Sequence, residues 1–182
     1  FEKLANVVKL LEYQDKGMFS SSIFNSSINR WNMSRALNIS FMFNGDLYFN
    51  QDISTQTVTV GEKTYIAWDT SNILNTSYTF NGAQQFNSNI SNWNVSNVNI
   101  AINMFQNASS FNNNISVWNM KESCIMDNMF QGASSMDIFS NIDTFEVTPS
   151  HLFFNNNTPL TNNNNDNTNI YTIVEQWFNE PS

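Results

Sequence analysis

The stretch FNSNISNWNVSNVNI, Phe86 to Ile100, opens with a phrase that returns as FNNNISVWNM, Phe111 to Met120. An earlier copy reads FNSSINRWNM, Phe24 to Met33. Self-similarity at a fixed period marks an architecture built by repetition and has to be settled before any local reading. Four units align: Phe24 to Tyr48, Phe49 to Gln85, Phe86 to Ser110 and Phe111 to Ser135. Three of them are 25 residues long. The second has 37, because TQTVTVGEKTYI and its neighbours separate Ile53 from Trp68. A fifth copy starts near Met136 and then dissolves, and Met18-Phe19 matches the Met-Phe pair that recurs at Met42-Phe43, Met104-Phe105 and Met129-Phe130.

Within a unit the apolar positions read I-x-x-W-x-V-x-x-V: Ile90, Trp93, Val95 and Val98 in the third copy, Ile115, Trp118, Met120 and Ser123 in the fourth. The two-residue step from Trp to Val predicts a short strand with both side chains on one face. The next phrase, M-F-x-x-A-x-x-F (Met104, Phe105, Ala108, Phe111), has spacings of four and three that predict one or two inward-facing helical turns. A single unit cannot enclose a core, but stacked units can. The expected fold is therefore an α/β repeat solenoid of ~25-residue units. Each unit would hold a short parallel strand plus a helical or 3-10 turn.

The spacing I-x-x-W-x-V also matches the leucine-rich-repeat strand pattern L-x-x-L-x-L, so the chain looks like a relative of those right-handed coils. More narrowly, FNSNISNWNVSNVNIAINMFQNASSFN, Phe86 to Asn112, resembles the BspA-like surface-protein repeat, also called the mycoplasma lipoprotein-associated repeat. The resemblance runs from about Met18 to Met136. It implies a non-catalytic adhesion or partner-binding module at the cell surface or secreted. No catalytic, cofactor-binding or metal-ligating residues come with the resemblance. The alternative expectation, resting on the hairpin insertion and the C-terminal helix, is a structural subunit of a larger assembly such as a virion or surface layer. Asn stands at Asn94 and Asn119 where the family phrase has Asp.

A stack of repeats needs its apolar ends covered. Leu4, Val7, Val8 and Leu11 follow an amphipathic helical stripe, as do Ile170, Ile173, Val174, Trp177 and Phe178. The expected organisation is a capping helix over 1–17, the repeat solenoid over 18–148 with a hairpin insertion at about 55–67, an Asn-rich loop over 149–169 and a C-terminal amphipathic helix over 170–182. Trp177 and Phe178 are candidate assembly contacts.

Composition narrows the function. Net charge is −8 with seven Lys plus Arg, which disfavours nucleic acid and anionic membranes, both of which need clustered cations. No apolar run approaches the ~20 residues needed for a membrane span. One cysteine, Cys124, and one histidine, His151, provide neither a disulfide framework nor a zinc cluster. Cys124 replaces an apolar repeat residue and reads as a buried small hydrophobe. Asp46, Asp52 and Asp69 fall in one unit and its boundary, and most equivalent positions hold Asn or Ala, so no paired-carboxylate site is expected. The 34 asparagines, with abundant Ile and Phe, fit the codon bias of an AT-rich genome and carry no mechanism. Nine N-x-[ST] sequons occur, several at matching repeat positions, so the repeat's own grammar explains them as well as glycosylation does.

The remaining expectation is a polar binding face. Between and after the inward Trp and Val, strand side chains would point outward in ladders: Asn32 and Ser34, Asp69 and Ser71, Asn94 and Ser96, Asn119 and Lys121. Their expected partner is a protein, from a host or an assembly, or a glycan.

Overall fold

The computed structural model describes residues 17–121 and 123–137. The two amphipathic segments, the Asn-rich loop, His151, Trp177 and Phe178 lie outside the described residues, apart from Gly17 at the edge of the first segment.

The fold class expected from the repeat is corrected. Among the described residues there is no helix, and the only strands are β1, Gln56–Val60, and β2, Lys63–Ala67, paired antiparallel. An α/β leucine-rich-repeat-like solenoid with helical end caps is not what these residues build. The Met-Phe-x-x-Ala phrase forms a run of tight turns instead of a helical turn. Met104, Gln106 and Ala108 donate their N–H to the carbonyls three residues back at 3.0–3.3 Å. The alternate amides, of Ala101, Asn103, Phe105 and Asn107, donate to Ile125, Asp127, Met129 and Gln131 of the following unit at 2.7–2.9 Å. An α-helix would use every interior N–H within itself and leave none for a neighbour.

The same alternation ties Thr76, Tyr78, Phe80 and Gly82 to Ile100, Ile102, Met104 and Gln106, and it ties Ile39, Phe41, Phe43 and Gly45 to Asn75, Ser77, Thr79 and Asn81. A left-handed backbone at every fourth residue holds it in place. Tyr78 has φ 58° and Gly82 φ 68°, Asn103 φ 54° and Asn107 φ 57°, Asn128 φ 54° and Gly132 φ 76°. Such residues break a right-handed helix, and the penalty is smallest for Gly and Asn.

The expected parallel strand is equally reduced. Trp93 N–H bonds Ile90 and Val98 N–H bonds Val95, so the segment is bounded by turns. Strand-type bridging between units, among the described residues, shrinks to single-residue parallel bridges at Asn38–Asn75, Asn75–Ile100 and Ile100–Ile125.

Apolar columns run through the stack of coils. Phe19, Phe43, Phe80, Phe105 and Phe130 stack with centroids 5.5–5.6 Å apart. Phe24, Phe49, Phe86 and Phe111 form a second column at 5.9–6.2 Å. The two columns touch within a coil, as at Phe43–Phe49, 3.7 Å. Trp31 and Trp68 stack at 6.5 Å, and Trp68 and Trp93 at 5.9 Å. Each buried indole N–H also finds a carbonyl on the preceding coil: Trp68 to Ile28 at 2.9 Å, Trp93 to Ile53 at 2.8 Å, Trp118 to Ile90 at 3.1 Å. An aromatic ring thus supplies packing and satisfies its one polar atom together.

The hairpin turns at Gly61, φ 62°, followed by Glu62, which suits a two-residue connection with glycine first. It folds back over its own preceding coil. Tyr65 Oη donates to Arg30 O at 2.6 Å, Gln56 Nε2 to Asn29 O at 3.1 Å, and Val58 and Ala67 are buried.

Two substitutions probe this arrangement. Trp93→Ala removes a stacked ring and the bond to Ile53, and is expected to cost about 3–5 kcal/mol in denaturant unfolding. Gly82→Ala has room for its methyl, the nearest atom being Gly45 Cα at 3.6 Å, so its cost of about 1–2 kcal/mol would come from the left-handed backbone alone. An unchanged unfolding midpoint in either variant contradicts the assignment.

Candidate functional site

The Asn-x-Ser spelling of the repeat is a folding device. The side-chain oxygen of the first residue accepts the N–H of the Ser two positions on, closing an Asx turn. This occurs at Asn32–Ser34 (3.1 Å), Asn38–Ser40 (2.8 Å), Asn75–Ser77 (2.9 Å), Asn89–Ser91 (2.9 Å), Asn94–Ser96 (3.1 Å) and Asn114–Ser116 (3.0 Å). Asp52–Ser54 and Asp69–Ser71 make the same turn at 2.9 and 3.1 Å, because only a carbonyl-type acceptor is required and Asp supplies one.

The expected binding face divides accordingly. Asn32, Asn94 and Asn119 are exposed, while Ser34, Asp69, Ser71, Ser96 and Lys121 are half-buried. In Asn32 and Asn94 the Oδ1 accepts both the N–H and the hydroxyl of its Ser, leaving the amide N–H₂ for solvent or a ligand. Lys121 spends its ammonium on the neighbouring coil, donating to Asn97 O at 3.2 Å and Asn99 Oδ1 at 2.8 Å. The face offers amide donors, one carboxylate and a tethered cation.

A second row, in the Phe-Asn dipeptide that opens each unit, escaped the sequence reading. Asn25 Oδ1 accepts the N–H of Asn50 (3.0 Å) and Gln51 Nε2 (2.9 Å). Asn50 Oδ1 accepts Asn87 N–H (2.8 Å) and Ser88 Oγ (3.1 Å), and Asn87 Oδ1 accepts Asn112 N–H (2.9 Å) and Asn113 Nδ2 (2.8 Å). Asn112 passes the pattern on to Asp137 N–H at 2.9 Å. The invariance of Phe-Asn across four units was the available signal. Sequence alone does not say that the amide reaches across coils rather than into solvent.

The other reactive side chains sit in structural places. Cys124 is buried, and burial pushes its thiol up to about 11 against the opposing pull of Lys121, so it stays protonated at neutral pH. Asp46 occupies the column that holds Ala83, Ala108 and Ala133 in later coils and is fully buried. Ser22 Oγ donates to its Oδ2 at 2.9 Å, while Oδ1 has no hydrogen-bond partner of ordinary geometry. Among the described residues no three His, Cys, Asp or Glu converge as a metal site, and no helix is long and apolar enough to cross a membrane.

Compared with known proteins, the sequence profile of a family described as Mycoplasma protein of unknown function, DUF285, matches over residues 13–66 and 55–169. The chain belongs to this family. The two DUF285 matches overlap in the hairpin, where the second unit carries its insertion. No curated protein and no solved structure matches the chain.

Burial raises the Asp46 carboxyl above the ordinary aspartate range, opposed by the Ser22 hydroxyl and the amides of Tyr48, Phe24 and Phe49. A raised folded-state value means that Asp46 favours the fold fully below the unfolded value of about 3.9, and that this support is lost as pH climbs through the folded value. Asp46→Asn keeps an acceptor for Ser22 without the charge. It should melt higher than the parent at pH 7, with the gap closing as pH approaches 4. A gap that does not vary with pH rules out ionised Asp46 as its source.

Proposed function

We propose that the chain is a non-catalytic binding or adhesion module of surface-protein type, acting at the cell surface or after secretion on a protein or glycan partner. One observation carries this reading: at equivalent positions of the first and third coils the exposed amides of Asn32 and Asn94 have their conformations already fixed by Asx turns, with the same turn closed by Asp69 in the coil between them. Side chains ordered before binding lose little freedom on contact, so a row of individually weak hydrogen bonds adds up to useful affinity. Membership of the Mycoplasma DUF285 family, and the closeness of the repeat phrase to the BspA-like repeat, support a surface setting.

A structural role in a larger assembly is the second reading. The outward side of the hairpin favours it, because Ile66 stands 49% exposed there opposite Thr57, while the other side, with Val58 and Tyr65, is already committed to the chain's own first coil. Such an apolar position suits a contact with another subunit.

The test is surface plasmon resonance of the immobilised chain against arrays of purified extracellular-matrix proteins and of oligosaccharides. The double change Asn94→Lys, Asn119→Lys should weaken binding of a captured matrix protein by about tenfold or more. Failure of every probe to bind overturns the module reading. Undiminished binding by the double variant removes this face from it.

A further inference from the structure

We propose that the strip over the second Phe column, centred on Tyr48 and the amides of Asn25, Asn50 and Asn87, binds an uncharged glycan. The inference rests on the binding-module reading and gives it a ligand class and a site other than the Asn94 face.

The residues on either side of each Phe of the second column are exposed, so every coil contributes two exposed side chains to a strip. Tyr48 is 47% exposed beside buried Phe49, and its ring and hydroxyl face no partner among the described residues. Gln85 occupies the same position one coil on, its backbone N–H bonded to Leu47 O at 3.1 Å. The carboxamides of Asn25, Asn50 and Asn87 lie on the other side of the Phe column. Their oxygens are used twice each by the following coil, and their N–H₂ groups donate to nothing among the described residues. The donors are held at the coil repeat, about 4.8 Å where backbones pair.

This chemistry selects the ligand. A sugar ring presents an apolar C–H face, which packs on an exposed aromatic, and a rim of hydroxyls, which accept from amide N–H and donate to amide or carboxylate oxygen. The strip holds no cation. Asp52, exposed beside it, is its carboxylate within these coils, so sulfated, phosphorylated or acidic polymers are repelled. A protein partner would be anchored by aromatic or Arg side chains in desolvated pockets, and a run of amides around one Tyr provides none.

Affinity electrophoresis of the full chain through gels containing galactomannan, hydroxyethylcellulose or dextran, with dextran sulfate as the anionic comparison, tests the proposal. At least one neutral polymer should retard the chain and dextran sulfate should not. Tyr48→Ala should weaken that retardation by about tenfold, while Tyr48→Phe keeps most of it. Asn87→Asp preserves the acceptor for Asn112 N–H and Asn113 but loses the outward donor, and should also weaken retardation at an unchanged melting temperature. Absence of retardation by all three neutral polymers overturns the glycan assignment and leaves the module reading to the protein array. Retardation that survives Tyr48→Ala but is lost in Asn94→Lys, Asn119→Lys overturns the strip and moves the ligand to the other face.

Discussion

Alternate backbone amides of each turn run leave their own coil and bond to the next, and the rest of the molecule follows from that division. One set of amides curls the chain; the other joins it to its neighbour. Because the joining bonds recur at every second residue, equivalent side chains must come into register along the stack. The Phe and Trp columns exist because the backbone imposes that register, and their packing stabilises it in return. A buried ring that faces an identical ring on each side needs no tailored pocket.

Asparagine does the same work from the side chain. The Phe-Asn residues bind the amide of their counterpart one coil on, and the Asn-x-Ser residues close turns within a coil. Asn suits both tasks because its short carboxamide mimics a peptide group and tolerates left-handed backbone, as at Asn103 and Asn107. The chain is rich in this residue, and the fold uses it structurally. The polar surface consequently has two kinds of amide: Asn25, Asn32, Asn50, Asn87 and Asn94 spend the oxygen internally, whereas Asn72, Asn92 and Asn97 give their N–H₂ to the Ser34, Thr55 and Ser71 carbonyls of the preceding coil.

The period, the columns and the burial of Cys124 were legible in the sequence, because side-chain identity repeats where the environment repeats. The local backbone was not. Met104 and Ala108 stand four apart in a helix and equally in two successive tight turns, so inward spacing cannot tell them apart. The deciding residues were Tyr78 and Phe41, left-handed at positions where an aromatic gives no warning, while Asn103 and Asn128 in the same column did carry a hint. Likewise the Trp-x-Val step matches a strand, yet turns at Trp93 and Val98 leave no room for one. The expected face at Asn32 and Asn94 was placed by exposure alone, and alternation along a chain does not show which atom of an amide is already taken.

The hairpin of the second coil adds a dozen residues to one rung, and the joining bonds accept it: Ile39 to Gly45 reach partners 36 residues ahead, Ala101 to Asn107 partners 24 ahead. Register is therefore counted in rungs and not in residues. A gene for such a chain could gain or lose whole rungs, or grow excursions between them, without redesigning any interface, since each rung offers the one above it the same surface it receives from below. The length of the protein and the loops it displays become quantities that can drift or be selected independently of how it folds.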